Sequence, residues 1–121
     1  MDQYNWTTIP QEELNPKAVR QAIHTERMTI ARLGLRQGAI VAMHQHENEQ
    51  VTTLQSGALR FVFGGAEEGR EVIVRAGDVL QIPPNVPHMV EALEDSMATD
   101  LFSPRREDWI RGDDAYLRGP R

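Results

Sequence analysis

Three histidines and a glutamine carry the chemistry open to this sequence. His44 and His46 stand in a His-Gln-His run, Gln50 follows His46 by four residues, and His88 closes Pro83-Pro84-Asn85-Val86-Pro87-His88. Imidazole is the commonest protein metal ligand. On a strand, side chains two apart share a face, so His44 and His46 converge if their segment is extended. Gln50 reaches the same spot if that strand continues past a small irregularity. His88 must then arrive from a distant part of the chain. The arrangement predicts a divalent-metal site with sides left open for a ligand.

Composition bounds the partners. The chain has 121 residues, a length that predicts one domain spanning 1–121. Its formal net charge of -5 argues against nucleic acid as the main partner. It has no Cys, so nothing requires an oxidising compartment. The start, Met1-Asp2-Gln3-Tyr4-Asn5-Trp6, lacks the basic and apolar regions of a signal peptide, and no apolar run reaches transmembrane length. The expected location is the cytoplasm, away from a membrane. Only Lys17 of the 13 basic residues is a lysine, and arginines of this kind can grip carboxylate or phosphate with two bonds.

The elements that must position the histidines are short strands punctuated by Gly and Pro. The pattern predicts strands over 17–24, 28–35, 51–54, 59–63, 71–75, 78–82, 88–93 and 97–102. Leu59, Phe61 and Phe63 alternate, as one buried face requires. The run from Gly64 to Gly69 reads as an exposed turn. Ser103-Pro104 reads as a helix start, with Ser as N-cap and Pro at the first helical position, leading a short turn through Trp109. Strands at this spacing, with no long amphipathic helix, predict an all-β sandwich or barrel.

Two segments resemble a known pair of motifs. From Gly38 the chain reads Gly-Ala-Ile-Val-Ala-Met-His-Gln-His-Glu-Asn-Glu-Gln and runs on to Gly57. This resembles the first cupin motif, G-x5-H-x-H-x3-E-x6-G, at every spacing, with Gln50 where the usual residue is Glu. From Gly77 the chain resembles the second motif, G-x5-P-x-G-x2-H-x3-N, with Asn85 in place of Gly and Ala92 in place of the last Asn. Asn tolerates the left-handed backbone better than most residues. The resemblance implies a cupin antiparallel β-barrel, or jelly roll, with a metal inside and a homodimeric assembly. It implies His44, His46, Gln50 and His88 as the metal ligands. Ligand type suits zinc, iron, nickel, copper or manganese, and spacing does not choose among them. With Gln50 for Glu, a divalent charge goes uncancelled, which favours Lewis-acid chemistry and an anionic ligand over dioxygenation. His24 fits neither motif and reads as a strand or interface histidine. Glu47 and Glu49 read as solvated loop residues.

A third segment, Met97 to Trp109, ends in a D-x-F-x-P-x-R pattern. It is similar to the matching stretch of the KdgF-type cupins, which linearise unsaturated uronates in pectin and alginate breakdown. Carried over by position, the resemblance implies Asp100, Phe102 and Arg106 as active-site residues and a small anionic sugar as substrate. Asp100 and Phe102 are two apart on a predicted strand and share a face, setting a titratable group beside an apolar wall. The alternatives are a different metal-dependent cupin enzyme, such as an oxygenase or sugar isomerase, and a non-catalytic module that binds an anionic sugar.

Overall fold

The structure is a computed structural model that describes residues 1–119. Among the described residues ten strands follow one another: β1 (Glu12–Asn15), β2 (Ala18–His24), β3 (Thr29–Leu35), β4 (Ile40–His44), β5 (Glu49–Ser56), β6 (Ala58–Phe63), β7 (Glu71–Arg75), β8 (Val79–Ile82), β9 (His88–Ala92) and β10 (Ser96–Ser103). Two short helices follow, α1 (Glu107–Arg111) and α2 (Ala115–Arg118). The eight predicted strands are all present, with ends within two residues of those read from the pattern.

The strands form two antiparallel sheets, one ordered β1-β2-β3-β10-β5-β8 and the other β4-β9-β6-β7. The sheets close on a shared core of Ala31, Leu54, Leu59, Phe61, Phe63, Val74, Ile82, Val90 and Phe102. Strand alternation builds it. Leu59, Phe61 and Phe63 face inward from β6, paired with Ala92, Val90 and His88 of β9. Opposite them, Ala98, Asp100 and Phe102 point inward from β10, beside Leu54, Thr52 and Gln50 of β5. A row of core positions is thus given over to polar side chains, where burial requires each to find a partner.

The outward face of the larger sheet carries an apolar row, Ile23–Ile30–Leu101–Val51, in register across β2, β3, β10 and β5. The turns obey simple sterics. A Cβ added at Gly57 would lie 2.4 Å from the Asp95 carbonyl oxygen, so only glycine fits that approach. Asn85 takes a positive φ of 62° and donates its backbone N–H to the His46 carbonyl at 2.8 Å, latching the two motif loops together.

Two expectations need correction. Gln50 does not lie on a continuation of the His44 strand. β4 ends at His44, the chain crosses between sheets over residues 45–48, and Gln50 returns on β5 in the other sheet. The helix also does not begin at Ser103-Pro104. Ser103 stays in β10, paired with Glu49, and the helix starts after Arg106. The ladder claims the backbone that a cap would need. The amide of Asn48 instead holds the carbonyls of Pro104 and Arg105, fixing the descent from β10 to α1.

Candidate metal centre and active site

The structure brings His44, His46 and His88 together. One ring nitrogen of each lies within 4.8 Å of the others. His44 closes β4 and pairs across the small sheet with His88, which opens β9. His46 comes from the crossover loop. Each ring is oriented by main chain: Nδ1 of His44 meets the Ala42 carbonyl at 2.7 Å, Nδ1 of His46 the Asn48 carbonyl at 3.0 Å, and Nδ1 of His88 the Val86 carbonyl at 2.8 Å. A carbonyl only accepts, so each Nδ1 carries the proton and each Nε2 offers a lone pair.

Electrostatics keeps these rings neutral. Burial, with His88 close by, lowers the His44 imidazole to about 3. Burial and the Arg106 guanidinium lower His46 to about 4. Burial lowers His88 too, and Arg106 adds to the effect. Neutral imidazole is the form that ligates metal.

Gln50 completes the set. Its Nε2 donates to Thr52 Oγ1 at 2.9 Å, and the Thr52 hydroxyl in turn donates to Asp100 Oδ1 at 2.6 Å. The amide oxygen is thereby turned away from Thr52, to lie 3.1 Å from His46 Nε2. Both of these atoms are acceptors once Nδ1 of His46 holds the ring proton, and two facing lone pairs call for a cation between them. Three neutral nitrogens and an amide oxygen fit a divalent metal on donor chemistry alone.

Asp100 and Phe102 face the same cavity, as their spacing on β10 dictates. The cavity measures about 40 Å³ and is lined by His44, Gln50, His88, Asp100, Arg106 and Tyr116 among others. Burial pushes the Asp100 carboxyl up to about 6, against the opposing pull of the Thr52 hydroxyl and Arg106. Phe102 meets the His46 ring edge-on at 5.6 Å.

Arg106 is 1% exposed, which sets it apart from the half-buried Arg105 beside it. Its guanidinium carbon lies 4.7 Å from the Phe102 ring centroid and 4.4 Å from that of Trp109. Its Nε and Nη2 grip Asp108 at 3.0 and 2.7 Å, and Nη2 also donates to the Tyr116 hydroxyl. His24 sits apart at the end of β2, its Nδ1 2.7 Å from Thr29 Oγ1. Glu47 and Glu49 are exposed.

Four residues of the site went unread in the sequence. Thr52 stands two after Gln50 on one strand, so the period of two placed it on the same face. Asn48, Asp108 and Tyr116 arrive through tertiary contacts that leave no local pattern.

Two facing antiparallel sheets with three inward histidines and an amide at one end define a β-barrel with a candidate metal site. The chain belongs to the cupin family, whose cupin domain matches residues 31–103. It is similar to KdgF from Halomonas sp., at 29% identity over 88% of this chain and 97% of that one, with a TM-score of 0.78. An RmlC-like cupin from Shewanella frigidimarina superposes with a TM-score of 0.78 at 23% identity, over 88% of this chain and 93% of that one. Oxalate decarboxylase from Bacillus subtilis shares the fold at 21% identity and a TM-score of 0.73, over 84% of this chain and 29% of that one. No curated protein matches the chain. Among the described residues no helix is long and apolar enough to cross a membrane.

Proposed function

We propose that this cupin opens the ring of 4,5-unsaturated monouronates, converting them to linear keto sugars in the cytoplasm. One observation carries the reading: a buried carboxyl, Asp100, and a buried arginine, Arg106, line one cavity with His44, Gln50 and His88, two of them from the three-histidine cluster. Similarity to KdgF and the D-x-F-x-P-x-R segment support the substrate class.

His44, His46, Gln50 and His88 would hold the metal. A divalent cation there supplies Lewis-acid stabilisation of negative charge developing on substrate oxygens. Arg106 binds the substrate carboxylate through its guanidinium, which lies against the Phe102 and Trp109 rings. Asp100 takes the proton of the anomeric hydroxyl. The bond from the anomeric carbon to the ring oxygen breaks, its electron pair leaves with the ring oxygen, and the anomeric carbon becomes an aldehyde. Asp100 returns the proton to carbon 4, and the enolate becomes a ketone. Atoms balance without a co-reactant. A carboxyl poised at about 6 can both accept and return a proton near neutral pH. Phe102 walls the cavity against water and keeps His46 and Arg106 in place.

The test follows the ultraviolet enol-ether absorbance of lyase-generated unsaturated galacturonate, with metal-loaded and chelator-treated protein side by side. Metal-dependent acceleration over the spontaneous rate, lost in Asp100→Asn with metal still bound, is the expected result. No acceleration on pectin- or alginate-derived substrate would overturn the reading.

A further inference from the structure

The cavity is too small for the ligand it faces. At about 40 Å³ it holds roughly one water, whereas sites for small organic ligands begin near about 300 Å³. What fills the remaining space on the Arg106 side is Tyr116 of α2. Its ring stacks on His44 with centroids 4.7 Å apart and planes tilted by 28°. Its hydroxyl accepts from Arg106 Nη2 and, at 3.2 Å, from Trp109 Nε1.

The guanidinium fork gives this contact a chemical meaning. A guanidinium offers a carboxylate two usable edges, Nε with Nη2 and Nη1 with Nη2. Asp108 takes the first edge. On the second, the remaining Nη2 hydrogen is the one that Tyr116 receives. A carboxylate that binds this edge with both oxygens needs that hydrogen.

We propose that Tyr116 is a built-in stand-in for the ligand: its phenol oxygen holds the place of one carboxylate oxygen on Arg106, and an anionic sugar acid enters by displacing it. The inference rests on the reading that the cavity receives a uronate carboxylate at Arg106. The displacement is local, because α2 is anchored independently of Tyr116. Leu117 is buried in the core, its carbonyl accepts from Asn15 Nδ2 at 3.3 Å, and Asp114 bonds buried Arg20 at 2.8 Å. The ring can therefore swing out on a helix that stays docked. Tyr116 thus sets selectivity, since only ligands able to replace its bond to the guanidinium gain entry.

The experiment measures binding of saturated D-galacturonate, which lacks the enol ether and is not turned over, to the metal-loaded full chain by calorimetry. Tyr116→Phe keeps the ring on His44 but gives up the hydroxyl, so galacturonate should bind about tenfold tighter. A second readout uses a Trp6→Phe background, in which emission comes from Trp109. Galacturonate should shift that emission more when Tyr116 is present than in Tyr116→Phe, because only then does the Trp109–Tyr116 bond break. Equal or weaker binding by Tyr116→Phe, an emission shift of the same size in both proteins, or no binding by either overturns the inference. Turnover of unsaturated uronate with unchanged galacturonate affinity in Tyr116→Phe removes this inference alone. Tighter binding without turnover removes the catalytic reading and keeps the gate.

Discussion

Replacing Asp100 by Asn should make the metal-free protein more stable at neutral pH while ending its turnover. The carboxyl sits among Gln50, Thr52 and Phe102, and burial moves it from 3.8 to about 6. In the unfolded chain it ionises above about pH 4. In the folded chain it keeps its proton up to about pH 6. Folding above that pH buries a charge that water would have solvated. The penalty is absent below about pH 4, where both states are protonated, grows between about 4 and 6, and is constant above. Moving the carboxyl from 3.8 to about 6 is worth on the order of 3 kcal/mol. Asn keeps the oxygen that accepts from Thr52. Its new NH₂ must find a partner, at a cost of about 1 kcal/mol. The net expectation is a gain of roughly 2 kcal/mol at pH 7.5, shrinking toward zero or below at pH 4. Urea unfolding of chelator-treated protein, followed by tryptophan fluorescence at both pH values, measures it. A variant no more stable than wild type at pH 7.5, or one stabilised equally at pH 4, would refute the account of Asp100 as a buried acid held at a cost in stability.

Other expectations address the remaining parts of the site. Divalent metal should raise the unfolding temperature of wild type in proportion to the logarithm of its concentration, and His88→Ala should lose most of that increment in a thermal melt. Thr52→Val removes the bond that turns the Gln50 oxygen inward and the donor that lowers Asp100. Metal affinity should fall about tenfold in a competition titration, and the acid limb of the pH–rate profile should move to higher pH. The outward row Ile23–Ile30–Leu101–Val51 is the surface on which we expect a second copy to pack. Ile30→Glu should halve the mass seen by light scattering while leaving the metal site intact, and a mass that does not change would reject that face as the dimer contact.

Much of the fold was legible because it rests on period and punctuation. Leu59, Phe61 and Phe63 announced a buried face. Asn85 stood where a turn needs a positive φ, and it adopts one. The spacing of His44, His46 and His88 marked residues that the fold does gather. What stayed hidden depends on contacts distant in sequence. Nothing local indicates that β4 and β5 belong to different sheets, so Gln50 was placed on the wrong strand while its destination was right. The Ser103-Pro104 pair has the composition of a helix cap, but pairing of Ser103 with Glu49 outweighs it. Composition and periodicity do not separate Arg105 from Arg106, and only the D-x-F-x-P-x-R pattern points to Arg106. Its burial against Phe102 and Trp109 becomes visible only once β10 and α1 meet.

The three imidazoles lean on carbonyl groups of Ala42, Asn48 and Val86, and every residue type supplies a carbonyl. A side-chain change at Ala42 or Val86 therefore keeps the carbonyl that sets the tautomer, while Asn48 is tied down separately by its bonds to Pro104 and Arg105. Gln50 differs, because its orientation comes from a side chain, Thr52. A substitution at Thr52 alone can alter how firmly the Gln50 oxygen is presented, whereas the imidazoles are oriented by the backbone itself.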